Sequence, residues 1–560
     1  MVKLTRRGMF GLAGAGAAGL AGCQSLGEPA FQPPFEGQVS FDHGVASGDP
    51  LSDRVILWTR VMPDREAPVW VIWQVFADAG LSEQIAAGAV QTSAARDYTV
   101  KVDVEGLEPQ TQYNFIFTAN TVNGAVPSAF GKTKTLAATG TDPVRAAFVS
   151  CSNYPFGFFH AYEEIARTPE LDLVIHLGDY IYEYGREGYG GATGARIGRE
   201  HEPATEINSL GDYRRRHAQY KSDKSLQRAH AAAPWICTWD DHESANNAYR
   251  TGAQNHNEGE GDWTSRKQRA VQAYLEWMPV RDPEPGRAAG ALWRRFELGD
   301  LATIACLETR LTGRSEEIAW GAELRDTAPA DIPAKAKTVM TRVNDPARTM
   351  LGERQEKWFA DTLTNSVKSG QPWQILANQI IMARVKSPNL SKTLSAAEQA
   401  RLRQTRIGTL IDLSRLGLPF NLDAWDGFPA ARDRLFASAK SAGANLVTLT
   451  GDTHTGWANR LTDKDGEARG VEFGCTSVTS PGLGRFFPGV TGLGEMFADA
   501  NEDVVWHDPV GGGYALLDIT ADAITAQFFK ISDVAQPRYV SQLIATARTE
   551  RSSTGQIKMS

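Results

Sequence analysis

Short apolar runs, each closed by turn residues, set the rhythm of positions 38–136. Val55-Ile56-Leu57-Trp58-Thr59-Arg60-Val61 and Val69-Trp70-Val71-Ile72-Trp73-Gln74-Val75 predict strands of a β-sandwich. Leu107-Glu108-Pro109-Gln110-Thr111-Gln112-Tyr113 then runs into Asn114-Phe115-Ile116-Phe117. Its Leu-x-Pro-x-Thr-x-Tyr form is that of a tyrosine corner, where a Tyr hydroxyl bonds back to the upstream backbone at a sandwich corner. These features predict a small all-β domain of immunoglobulin or fibronectin-III type over 38–136. No chemistry is visible in it, so its expected role is packing.

Near residue 140 the pattern changes to apolar runs alternating with amphipathic ones. Strands are expected at Arg145–Ser150, Leu173–Leu177, Trp373–Ala377 and Asn445–Thr450, and helices at Phe158–Arg167, 353–365 and 429–442. Such alternation predicts an α/β layered domain over 140–545 with much of its sheet buried. Residues 185–225 and 312–350 are polar and turn-rich and read as surface insertions. The tail, 546–560, is polar and is expected to fray.

In α/β sheets, ligands gather beyond the carboxyl ends of strands. There the chain carries Cys151-Ser152-Asn153, Gly178-Asp179-Tyr180-Ile181-Tyr182, Asp240-Asp241-His242-Glu243 with Asn246 and Asn247, Asn378-Gln379, and Gly451-Asp452-Thr453-His454. A single Asp after a strand is as often a helix cap as a ligand. Five apolar strands in order, each delivering a polar cluster, are harder to dismiss. Among the ten His, only His242 and His454 fall in these clusters as candidates. His160, His217 and His230 lie in helical stretches and read as packing residues, and His176 as a core or supporting residue of its strand.

Composition narrows the class. At 560 residues more than one domain is expected. A formal net charge of -8 disfavours a protein that grips nucleic acid along its backbone. Residues 1–37 read as a leader and tether. Thr5-Arg6-Arg7-Gly8-Met9-Phe10 is a twin-arginine pattern, and the Ala/Gly-rich stretch after it is too short for a membrane span. It closes on Leu20-Ala21-Gly22-Cys23, which resembles a lipoprotein box with Cys23 as the lipid attachment point; cleavage near Ala21 is the alternative. The expectation is export by the twin-arginine translocase to the periplasm or cell surface, with a membrane tether through Cys23. Cys237 and Cys306 lie in apolar runs and read as core thiols, although an oxidising compartment would permit one disulfide among Cys237, Cys306 and Cys475. Cys151 precedes Ser and Asn, and no CxxC exists in the chain, so a redox role is disfavoured.

Together the clusters at Cys151, Gly178–Tyr182, Trp239–Glu243, Ala377–Gln379, Trp425-Asp426-Gly427-Phe428 and Gly451–His454 resemble those of PhoD-type alkaline phosphatases, within the calcineurin-like metallophosphoesterases. Phe41–Pro50 resembles that family's leading segment. The likeness runs from about residue 38 to about residue 540. One departure is Glu308 in Leu307-Glu308-Thr309-Arg310, where the family usually carries Asp. The resemblance implies a metal-dependent phosphoric ester hydrolase with a ferric ion, Fe(III), beside calcium, Ca(II). It implies that Cys151, Asp179, Tyr182 and His454 serve the iron and that Asp179 bridges. Asp240 or Asp241, Asn247 and Asp452 fall to calcium, with Asn378 as a further candidate. His242 would stabilise the transition state or protonate the leaving oxygen while a metal-activated hydroxide attacks phosphorus. Phosphate monoesters are the expected substrates, with diesters in addition. A phospholipase D-like phosphodiesterase is the closest alternative, and a non-catalytic surface binding protein the alternative of a different class.

Overall fold

A computed structural model of the chain describes residues 32–560, other than 285 and 405–407. The twin-arginine pattern and Cys23 lie outside the described residues. No helix among the described residues is long and apolar enough to cross a membrane.

The N-terminal region is all-β. One sheet orders Gly131–Lys134, Gln112–Thr121, Val69–Phe76 and Gln84–Thr92, with Gly124–Pro127 paired beside Gln112–Thr121. Val45–Gly48, Arg54–Arg60 and Thr99–Glu105 form the facing layer. Val55, Leu57, Val71, Val75, Phe115 and Phe117 fill the space between them. The Tyr113 hydroxyl accepts the Glu108 backbone N–H at 2.9 Å, the bond expected of a tyrosine corner.

This region is not a free-standing sandwich. Its second layer continues into the larger domain because Gly48 pairs with Trp235, making one ten-stranded sheet. The junction is tight. The Asp49 N–H donates to the Trp235 carbonyl at 2.9 Å, and the Asp49 carboxylate takes the Arg294 guanidinium at 2.8 and 3.0 Å. A Cβ on Gly48 would lie 2.2 Å from the Pro279 carbonyl oxygen and 2.6 Å from that of Trp235. Both are backbone atoms and cannot swing away. Gly48→Ala is therefore expected to cost about 3 kcal/mol through overpacking, read as a lower urea midpoint.

In the larger domain Val144–Val149, Leu173–His176 and Trp235–Cys237 run parallel in the ten-stranded sheet. Ala302–Cys306, Trp373–Ala377 and Leu446–Thr450 run parallel in a seven-stranded sheet. The sheets stack face to face over Phe148, Ile175 and Ile236 from one and Ile304, Ile375 and Val447 from the other. Helices cover the outer faces, among them His160–Arg167 and Trp263–Trp277 on the first sheet. Glu353–Lys368 and Pro429–Ala442 cover the second. Buried on both faces, the parallel strands read as continuous apolar runs. Their carboxyl ends meet where Ser150 bridges to Ser477 and the Gly451 N–H donates to the Gln379 carbonyl at 2.7 Å.

Three expectations need correction. Within 185–225, Leu210–Lys221 is a helix with a Ser209/Asp212 capping box, and it buries Tyr213, Arg216 and Tyr220. Long polar side chains on its inner face hid that burial from the hydropathy pattern. Within 312–350, Ile332–Val343 is a helix that packs Ile332, Val339 and Val343 against Leu413 and Leu422. The tail does not begin to fray at 546: Ser541–Glu550 and Lys558–Met559 extend the ten-stranded sheet. Its buried positions are the small Ala545, Ala547 and Thr549, which carry little hydrophobic signal. Cys151, Cys237, Cys306 and Cys475 are all buried free thiols.

Candidate metal centre

The strand-end loops fold into a shared pattern. Cys151, Asp179, Asn247, Asp452 and His454 all take left-handed backbone, with φ of 61°, 56°, 50°, 58° and 61°. Such conformations cost energy for residues with a Cβ and persist where surroundings enforce them. At Cys151, Asp179, Asp452 and His454 they turn the chain sharply just after a strand ends. Gly178, with φ 104°, must lack a side chain, since a Cβ would meet Asp240 backbone N and Cβ at 2.5 Å. Glu243 ties the two aspartate loops together by accepting N–H groups of Asp179, Tyr180 and Asp240 at 3.1, 2.6 and 2.9 Å.

The loops converge on one cluster. Cys151, Asp179 and His454 bring ligand atoms within 4.8 Å of one another, as do Asp240, Asp241 and Asp452. Asp179, Asp241 and His242 form a third such group, so Asp179 stands between the two sides. The Tyr182 hydroxyl donates to Asp179 Oδ2 at 2.9 Å and lies 3.4 Å from His454 Nε2. His454 Nδ1 faces the Pro481 carbonyl at 3.2 Å. With a proton on Nδ1, that contact leaves Nε2 as a free lone pair aimed at the cluster.

Buried polar atoms normally find partners. Asp179 Oδ1, Asp240 Oδ2 and Asp241 Oδ1 are buried with none. Burial, with Asp241 and Asp240 close by, holds the Asp179 carboxyl well above its ordinary range despite the opposing pull of His242. Burial and then Asp240 and Asp423 do the same to Asp452. Burial and then Asp179 push the Cys151 thiol up. Burial lifts Asp240 to about 6 against Arg310, whereas Arg310 and His242 outweigh burial and hold Asp241 at about 2. A crowd of desolvated acids with unpartnered oxygens fits multivalent cations, which favour the charged forms.

Two expected ligands stand differently. Asn247 lines the cavity, but its amide nitrogen donates to Glu317, while its backbone N–H donates to Asp241 Oδ2 at 2.5 Å. Asn378 is fully buried and does not line the cavity. Its amide nitrogen donates to the Ile380 carbonyl and its oxygen accepts the Trp425 indole N–H at 3.2 Å. The structure does not bring it into the cluster.

His242 sits beside the cluster, its ring stacked on Tyr182 at 4.1 Å between centroids. Its Nδ1 pairs with Glu183 Oε2 at 2.7 Å. Burial disfavours a charged imidazole, yet Asp241, Asp179 and Glu183 outweigh it and hold His242 well above the ordinary histidine range. Glu183 was not singled out in the sequence; its place directly after Tyr182 was the available signal.

Arg310 was also missed as a site residue. Its fully buried guanidinium bonds Asp240, contacts Asp423 at 2.9 Å and Asp452 at 3.3 Å, and lies 3.6 Å from Asp241. Arg314 joins it on Asp423. Glu308 holds this loop, taking the Trp239 indole N–H at 3.0 Å and the N–H groups of Arg310 and Leu311 at 2.9 and 2.6 Å. The carboxylate at 308 therefore supports Arg310 and stays off the cluster. Four carboxylates face two guanidinium groups here, so one divalent cation would balance the set. Ser152 is a turn residue whose hydroxyl donates to the Tyr180 carbonyl at 3.0 Å.

Comparison with known proteins gives the family. Residues 146–528 match the family described as PhoD-like phosphatase, and residues 28–137 match PhoD-like phosphatase, N-terminal domain. Alkaline phosphatase D of Bacillus subtilis (strain 168) is 37% identical over 483 residues, covering 83% of this chain and 74% of that protein. The solved structure of PhoD superposes with a TM-score of 0.75 at 31% identity, covering 95% of this chain and 93% of the other.

Proposed function

The chain belongs to the PhoD-like phosphatase family and is a phosphoric ester hydrolase, and we propose that it works on phosphate monoesters, with diesters in addition, through an iron and calcium centre. One observation carries the reading: three buried carboxylate oxygens without partners lie in a cluster that also collects a thiol, a phenol and an imidazole. Thiolate and phenolate are strong anionic donors, so Cys151, Asp179, Tyr182 and His454 would hold a ferric ion. Asp179, Asp240, Asp241 and Asp452, with Asn247 beside them, are the oxygen donors that suit calcium. When bound, the two cations relieve charge on the phosphoryl oxygens and make water acidic enough to attack near neutral pH.

The rest falls to the chain's own residues. His242 faces the cavity with Glu183 behind it, placed to give its proton to the leaving alcohol oxygen as the P–O bond breaks. Glu183 fixes the ring and, together with Asp241 and Asp179, favours its charged form. Arg310 anchors Asp240 and Asp452 so that their free oxygens stay aimed at one point. Water takes the phosphoryl group directly, and the buried Ser152 hydroxyl forms no covalent intermediate. Glu183→Gln is expected to lower kcat by about 10- to 100-fold in metal-replete protein, measured at saturating substrate.

The twin-arginine pattern supports export of a folded, metal-loaded protein to the periplasm or cell surface. Leu20–Cys23 supports lipid attachment at Cys23, which the mass of the mature N-terminus would test. The activity is tested by turnover of nitrophenyl phosphate, its bis-ester and phosphatidylcholine in parallel. The monoester is expected to lead, and a clear lipid preference would replace this reading with a phospholipase-like one.

A further inference from the structure

The cavity at the cluster, about 310 Å³, is lined by both polar and apolar side chains. Asp179, Asp241, His242, Asp452 and His454 belong to the cluster, and Glu317, Asn421, Asp423 and Asp426 are further polar neighbours. Ile381, Val385, Phe420, Trp457, Leu483 and Phe486 form the apolar wall. Resting on the phosphatase reading above, we infer that the preferred substrates are phosphate esters of apolar alcohols, whose organic substituent lies against Phe420, Leu483 and Phe486.

The apolar wall is built and held. Phe420 packs edge-on against Phe497 at 5.2 Å between ring centroids. Trp457 stacks on His507 at 3.6 Å and meets Phe497 at 6.0 Å. A wall braced in this way pays little ordering cost when a ligand arrives. Phe486 stands at the rim, 49% exposed, where a substituent would cover it.

Polar alcohols such as glycerol or a sugar need hydrogen-bond partners, and several polar neighbours are already engaged. The Asn246 amide donates to Gln254 at 2.9 Å, and the Asn247 amide to Glu317. The Thr453 hydroxyl accepts the Trp457 indole N–H at 3.0 Å and shares a 3.0 Å contact with Thr455. Hydroxyls lying against Phe420, Leu483 and Phe486 would find no partner on those side chains, which costs more than burying carbon gains. The volume lies at the lower end of small-ligand pockets, enough for a phosphoryl group and one compact substituent.

The test uses the full chain, metal-replete, with ethyl, butyl and hexyl phosphate. The three alcohols have nearly equal acidity, so the series varies buried carbon while leaving-group chemistry stays constant. kcat/KM is expected to rise about three- to fourfold per methylene until the wall is filled. Phe486→Ser and Leu483→Ser, made separately, are each expected to flatten that slope. Phe486 is half exposed, so its replacement spares the core, and circular dichroism checks both variants. Equal kcat/KM along the series, or a slope that neither variant changes, overturns the inference and leaves the phosphatase reading standing. Failure to hydrolyse all three esters and nitrophenyl phosphate overturns the phosphatase reading itself.

Discussion

Asp179→Asn is expected to lower hydrolysis of nitrophenyl phosphate on the order of a thousandfold, the loss that several kcal/mol of transition-state stabilisation represents. Asp179 belongs to two of the three ligand groups, alongside Cys151 and His454 in one and Asp241 and His242 in the other. It also accepts the Tyr182 hydroxyl. Its amide replacement keeps the size but removes the charge that both sides share. Folding should persist, because Oδ1 has no partner in the protein to lose. Steady-state kinetics beside circular dichroism checks both halves. Activity within tenfold of wild type in a folded variant would remove Asp179 from the centre.

Arg310→Met carries the second large effect, and it falls on stability. The guanidinium is fully buried and touches four carboxylates. Deleting one partner of a buried ionic set strands the others, typically at a cost of 3–5 kcal/mol. The chelated variant is therefore expected to lose roughly that much against chelated wild type, read as a fall in the denaturant midpoint. Added calcium should return part of the loss, since a divalent cation among the same oxygens supplies the missing positive charge. An unchanged midpoint would mean that Arg310 does not hold these acids in place.

Much of the fold is legible in the chain because its central strands are buried on both faces. Leu173–His176, Trp373–Ala377 and Leu446–Thr450 appear as largely apolar runs, and the helix at Pro429–Ala442 stands at its expected ends. Tyr113 announces its corner because that turn demands a fixed spacing. The junction at Gly48 is not legible. It depends on one residue pair and on backbone atoms of Trp235 and Pro279, which leave no periodic trace. The helix Leu210–Lys221 was hidden for a different reason, since Arg216 and Lys221 are buried inside it.

The candidate site divides in the same way. Cys151, Asp179, Asp240, Asp241, Asp452 and His454 each follow a strand at short range, so position alone points to them. Tyr182 follows three residues after Asp179 and comes back to it through its hydroxyl. Arg310 follows the strand Ala302–Cys306 as closely as His454 follows Leu446–Thr450, but a guanidinium is not a metal donor and so does not stand out; Asp423 arrives from a loop and meets the cluster through Arg310. Asn378 shows the limit of the positional rule. It follows its strand as the others do, yet Trp425 and Ile380 engage its amide before it can reach the cluster.

The most direct measurement is elemental analysis of active protein purified after export in its own cells, for wild type and Cys151→Ser. Iron together with calcium is expected in wild type. The thiol-free variant should lose iron and keep its calcium-side carboxylates. Fully active protein holding zinc alone, with neither iron nor calcium, would contradict the assignment of Cys151, Tyr182 and the aspartates to this centre.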